Sequence, residues 1–65
     1  MFGIHWLRGR VLVEKQTSEL AALSEVVAVT RGGAREVGAR HPGNAPDSFK
    51  VFDGRGREMG QYTLS

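Results

Sequence analysis

The sequence predicts an α+β domain of two layers, in which one long helix packs on one face of a four-stranded antiparallel sheet. Three observations indicate this ββαββ order: strand-like alternation in both end regions, a turn within each of them, and a helical apolar period between them. The 65 residues suffice for a single domain, residues 1–65. A domain of this size buries only about 60% of the surface of its unfolded chain, so we expect modest stability.

The N-terminal segment, residues 2–16, is predicted to form a β-hairpin. Its two parts, FGIHWL and VLVEKQ, have strand-like patterns and meet around Arg8-Gly9. Since successive side chains of a strand point to opposite faces, Phe2, Ile4 and Trp6 share one face. Val11 and Val13 are expected to join them beneath the helix.

Residues 26–38, VVAVTRGGAREVG, allow three interpretations. The RGG element resembles the arginine-glycine boxes of RNA-binding proteins, but such boxes are repeated, disordered segments and a single copy occurs here. Gly32-Gly33 is a turn dipeptide, which favours a hairpin. A helical wheel favours a helix, because at about 100° per residue the charged side chains avoid one side. That side consists of Leu20, Leu23, Val26, Val27, Thr30, Gly33, Ala34, Val37 and His41. We predict the helix and keep the hairpin as the alternative.

The ends of this helix are also marked in the sequence. Thr17 or Ser18 is predicted to cap its start, and His41-Pro42-Gly43 is predicted to end it. Three glycines lie in its second half, and each costs roughly 1 kcal/mol relative to alanine. The centre of the helix is therefore expected to be weak or kinked.

A second hairpin follows the loop HPGNAPD. Its segments SFKVF and EMGQYTL meet around DGRG. Alternation places Phe49, Val51, Tyr62 and Leu64 on the face that the helix covers.

One helix cannot cover both faces of a sheet, so the other face is expected to be open or to meet a partner. Soluble monomers seldom expose a contiguous apolar patch, and we therefore predict burial by a partner, most simply in a symmetric homodimer. The alternative is that the loop from Pro42 to Asp47 folds over this face, or that strand twist turns some of its apolar side chains inward. His5 is expected on the same face. The predicted partner-binding residues are Leu7, Leu12, Phe52 and Met59.

Nucleic-acid binding is the alternative function. The motif Arg-Gly-Arg occurs at residues 8–10 and 55–57, in both predicted turns. If the two turns lie at one end of the sheet, the four arginines would form one phosphate-binding cluster, beside the rings of Trp6, Phe52 and Tyr62, which could stack on bases. The predicted nucleic-acid-binding residues are Arg8, Arg10, Arg55, Arg57, Trp6 and Tyr62.

Motifs for catalysis are absent from the sequence. No serine has the context of a nucleophile elbow, and the glycines do not match a phosphate-binding loop. His5 and His41, with Asp47 or Asp53, do not have the spacing of a metal site. We predict a non-enzymatic interaction module with no metal and no cofactor.

The composition indicates in which cellular compartment the protein is expected. There is no cysteine, and no apolar run approaches the roughly 20 residues of a membrane span. The net charge of +2 comes from scattered residues. We predict a cytoplasmic protein that does not enter membranes.

Overall fold

The structure, a computed structural model, describes residues 1–64. Its four strands form one antiparallel sheet in the order β2-β1-β3-β4. The predicted α+β class and both hairpins are confirmed, but two helices take the place of the single long one. The elements are β1 (Phe2–Arg8), β2 (Val11–Ser18), α1 (Leu23–Gly32), α2 (Ala34–Arg40), β3 (Ser48–Phe52) and β4 (Glu58–Thr63).

The two hairpins are joined by pairing between β1 and β3. Trp6 lies opposite Phe49, and Ile4 lies opposite Val51. All four side chains are buried. The rings of Trp6 and Phe49 have centroids 5.5 Å apart, and Tyr62 of β4 stacks on Phe49 at 5.3 Å. The centre of the core therefore consists of contacts between distant parts of the sequence.

Both helices pack on this same face of the sheet. Val26 and Thr30 of α1 and Val37 of α2 are buried. The predicted apolar side of the helical segment is confirmed for these three and for four further members that pack against the core: Leu20, Leu23, Val27 and Ala34.

The helical segment begins later than predicted. β2 continues through Ser18, which pairs with Phe2, so neither Thr17 nor Ser18 caps a helix. Ala22 occupies the N-cap and provides no side-chain hydrogen bond. The prediction was wrong here because pairing with β1 extends the strand past the point where its own pattern weakens.

The helical segment is interrupted at Gly33. This residue has φ −89° and ψ 0°, and its N–H donates to the carbonyls of Val29 (3.2 Å) and Thr30 (3.0 Å). Helical bonding resumes at once, because the N–H of Val37 donates to the Gly33 carbonyl at 3.2 Å. The alternative hairpin around Gly32-Gly33 is therefore wrong. The expected weak centre of the helix is a break between two short helices.

Gly32→Ala is expected to stabilise the fold by up to about 1 kcal/mol, because alanine has the higher helix propensity. A Cβ at Gly32 would meet no other atom within 4 Å. Gly9→Ala is the control, since Gly9 has φ +60° and alanine should cost about 1 kcal/mol there. Urea unfolding of both variants tests this, and destabilisation by Gly32→Ala would contradict it.

Two β-bulges shift the strand registers. Leu12 pairs with Leu7 and Glu14 with Trp6, which leaves Val13 as the extra residue of β2. Met59 is the corresponding extra residue of β4, between Glu58 and Gly60. Val13 packs against the core as predicted.

Val11 does not have its predicted position beneath a helix. It pairs with Arg8 beside the β1–β2 turn, and its side chain is 65% exposed. The helices do not bury this end of the hairpin, which alternation along one strand cannot reveal.

A polar network ties β2 to the end of α2. The carboxylate of Glu14 accepts hydrogen bonds from Arg40 (2.7 and 3.2 Å) and Gln16 (2.6 Å), and lies 2.9 Å from Nε2 of His41. These contacts, that of Arg40 foremost, lower the pKa of Glu14 from an ordinary value of 4.5 to about 2. The charged carboxylate thus helps to fix the helical layer on the sheet.

The loop after α2 is attached to the β1–β2 turn. The Asp47 carboxylate accepts the Gly9 N–H at 3.1 Å, the Asp47 N–H donates to the Leu7 carbonyl at 2.8 Å, and Arg8 donates to the Ala45 carbonyl at 2.9 Å. Leu12 nevertheless remains 45% exposed. The loop therefore leaves Leu12 uncovered, whereas Leu7, next to its attachment point, is half-buried.

Candidate functional site: the open face of the sheet

The sheet face opposite the helices is termed the open face. Strand pairing places three residues of each strand on it, and the central residue of β1, His5, lies between Lys15 of β2 and Lys50 of β3. The residues of the open face are Gly3, His5, Leu7, Leu12, Lys15, Thr17, Ser48, Lys50, Phe52, Glu58, Gln61 and Thr63.

The apolar side chains of the open face form two groups. Leu7 and Leu12 pair beside the β1–β2 turn, and Phe52 lies at the opposite end of the sheet. Met59, at the neighbouring bulge, is 45% exposed. The row of Lys15, His5 and Lys50 runs between the two groups. The four predicted partner-binding residues are therefore not one contiguous patch.

The two arginine-bearing turns lie at opposite ends of the sheet. β1 and β3 are antiparallel, so the turn that follows β1 and the turn that follows β3 are separated by the length of the strands. The condition for a single four-arginine cluster is not met. Arg8 and Arg57 bind the Ala45 carbonyl and the Asp53 carboxylate, respectively, whereas Arg10 and Arg55 make no side-chain hydrogen bond or ion pair within residues 1–64.

The aromatic residues are divided between the two faces. Trp6 is 1% exposed and Tyr62 stacks on Phe49, so both rings belong to the core beneath the helices. The open face instead carries the rings of His5 and Phe52, whose centroids are 4.4 Å apart with planes inclined by 47°. Alternation predicted that both lie on this face. Their contact also requires the pairing of β1 with β3, which no local signal indicates.

A hollow of about 380 Å³ lies over Gly3, with Thr17 on one side and the rings of His5 and Phe52 on the other. Gly54 and Gly56 of the β3–β4 turn form part of its rim. A second hollow of about 320 Å³ shares Gly3, His5 and Thr17 and extends to Lys15. The two form a groove across the N-terminal half of β1.

The glycine at position 3 produces this groove. Gly3 does not have a positive φ, and a Cβ built on it would lie 3.8 Å from Cβ of Phe52, an ordinary contact. The fold of the described residues would therefore accept a side chain here. Sequence reasoning did not single out Gly3, because its significance depends on its neighbours in the sheet.

Positive charge predominates around the groove. Nζ of Lys50 lies 3.2 Å from the Glu58 carboxylate, while Lys15 forms no ion pair within the described part of the chain. Asp53, at the rim, accepts the N–H groups of Arg57 (2.8 Å) and Arg55 (2.9 Å). The Arg57 N–H contributes most to lowering the pKa of Asp53. The Asp53 carboxylate is thus occupied by hydrogen bonds within its own turn.

The two histidines are in different environments. His41 contacts Glu14 beside α2, and His5 contacts Phe52 on the open face. Residues 1–64 contain no group of three or more His, Asp or Glu side chains that could hold a metal ion. Neither described helix has the length and apolar character needed to cross a membrane.

Comparisons with protein families, curated proteins and solved structures find no match to this chain.

Proposed function

We propose that this protein is a small non-catalytic interaction module that docks through the open face, and that a second copy of the chain is its simplest partner. The supporting observation is that Leu7, Leu12 and Phe52 lie on a sheet face opposite both helices, with Leu12 45% exposed. Burial of these side chains is the expected driving force for association. The absence of cysteine suits a reducing compartment such as the cytoplasm.

The size of the open face limits the affinity of such a dimer. Strands spaced about 4.8 Å apart with a rise of about 3.3 Å per residue give a face of about 400 Å² per copy. Stable interfaces usually bury about 800 Å² per partner. We therefore propose a weak dimer that dissociates at low concentration.

The lysines further restrict how two copies meet. In a dimer that overlaps across the whole face, Lys15 and Lys50 of both copies would approach one another, and each copy offers only Glu58 to balance them. Burial of unpaired cations is costly. Contact centred on the Leu7–Leu12 end avoids this cost.

Leu12→Lys is therefore expected to shift the particle mass from dimer to monomer, because a charge in an apolar interface is not readily desolvated. Phe52→Lys should weaken association less. Val29→Lys is the matched control, since Val29 is 64% exposed on α1 and distant from the open face. Sedimentation equilibrium up to near-millimolar protein measures the masses. A monomeric wild type at that concentration, or equal effects of Leu12→Lys and Val29→Lys, would contradict self-association.

A further inference from the structure

We propose that the groove over Gly3 is a binding site for single-stranded nucleic acid, in which a base stacks against the His5–Phe52 pair while Lys15 and Arg55 contact phosphates. The site lies on the face used by the proposed function, but it does not depend on self-association. It shares Phe52 and Arg55 with the arrangement predicted from the sequence, but it does not use Trp6, Tyr62 or a cluster of four arginines.

The ring pair provides the stacking surface. His5 and Phe52 belong to the two central strands, whose pairing holds their ring centroids 4.4 Å apart. Both side chains are only partly buried. Sheet-based proteins that bind single strands use exposed rings on central strands in this way, and stacking accepts any base.

The groove supplies the space beside these rings. A glycine inside a strand weakens it, and often marks close approach of a ligand. Gly3 lies in a central strand without a positive φ, and no contact within residues 1–64 excludes a side chain there. The resulting hollow of about 380 Å³ exceeds the volume of a planar base, and Thr17 on its far wall offers a hydroxyl to the base edge.

Charge around the groove is complementary to phosphate. Lys15 and Lys50 flank His5 on neighbouring strands, and Arg55 lies on the adjoining turn. Two carboxylates lie near the groove: Glu58 already pairs with Lys50, and Asp53 at the rim accepts N–H groups of its own turn. Cations beside aromatic rings match a strand that presents phosphates and unstacked bases, whereas an acidic peptide would leave the rings unused.

The test is fluorescence anisotropy with a labelled oligothymidylate of about eight nucleotides, within the range of known site sizes. Gly3→Val places a branched side chain on the floor of the groove, where the base would lie, and we expect an affinity loss of about tenfold. Phe52→Leu retains an apolar side chain without the ring and should lose a similar factor. Thermal unfolding verifies that each variant is folded, and Phe52→Leu decides the test if Gly3→Val does not fold.

A charge-reversal pair supplies the matched control. Lys15→Glu should weaken binding and flatten the dependence of log K on log salt, whose slope is about −0.7 for each phosphate contacted. Arg35→Glu makes the same change on α2, at an exposed residue with no ion pair in the described part of the chain, and should have little effect.

Several outcomes would overturn this site. These are the absence of binding at low salt, equal losses from Lys15→Glu and Arg35→Glu, and polyglutamate binding as tight as that of the oligonucleotide. Particle mass separates this test from that of self-association. A monomeric protein that binds the oligonucleotide through Gly3 and Phe52 would support the site while contradicting the dimer.

Discussion

Replacing Trp6 with alanine is expected to remove a large part of the protein's stability against unfolding. Trp6 is 1% exposed and packs on Phe49 at the junction of the two hairpins. A change of this kind in a core costs about 3–5 kcal/mol. At about 0.05–0.15 kcal/mol per residue, a chain of this length has a total stability of about 3–10 kcal/mol. Circular dichroism and urea unfolding measure the loss.

Trp6→Phe is the informative control. Nε1 of Trp6 is buried without a hydrogen-bond partner among the described residues, so removing it breaks no hydrogen bond. We expect Trp6→Phe to cost less than half as much as Trp6→Ala, because a ring still fills most of the space. If Trp6→Ala unfolds at the same urea concentration as the wild type, the proposed packing of β1 on β3 is incorrect.

Glu14→Gln is expected to destabilise the fold by about 1–2 kcal/mol at neutral pH. The change removes the negative charge of the carboxylate that contacts the side chains of Arg40 and His41. The lower end of this range applies if solvent screens the pair, since the Arg40 side chain is 50% exposed. Glu19→Gln is the control, because Glu19 is exposed and makes no side-chain hydrogen bond or ion pair within residues 1–64.

The same network predicts a pH dependence. Folding lowers the pKa of Glu14 from 4.5 to about 2. The contribution of this carboxylate to the free energy of unfolding is therefore complete above pH 4.5 and is lost as the pH falls toward 2. The stability difference between wild type and Glu14→Gln should therefore shrink across this interval. Urea unfolding at neutral pH and near pH 3 measures it. A difference that does not change with pH would show that the carboxylate charge is not responsible.

Patterns within single elements predicted much of the fold. Alternation identified both hairpins, and the helical period identified the buried side of the helices, including Val26, Thr30 and Val37. Interactions between elements caused the departures. Pairing with β1 extended β2 through Ser18, a bulge at Val13 changed the register, and Gly33 divided the helical segment.

The candidate site was less predictable for the same reason. Alternation placed Leu7, Leu12 and Phe52 opposite the helices, but the pairing of β1 with β3 determines which of them are neighbours. That pairing also places the two arginine-bearing turns at opposite ends of the sheet and the ring of His5 against that of Phe52. Trp6 could not serve both as a core residue and as a stacking ring, and the structure places it in the core.

The strand order has a consequence for biosynthesis. β1 is central in the sheet, yet its second neighbour, β3, begins only at Ser48, after both helices. Until the ribosome has delivered that strand, the nascent chain presents one edge of β1 and the side chains of Ile4 and Trp6 without their partners. Such an edge can pair with other chains, and long-range strand pairing forms slowly. The sheet is therefore expected to form only after Ser48–Phe52 has been made, and until then the open edge of β1 is a point where chains can aggregate.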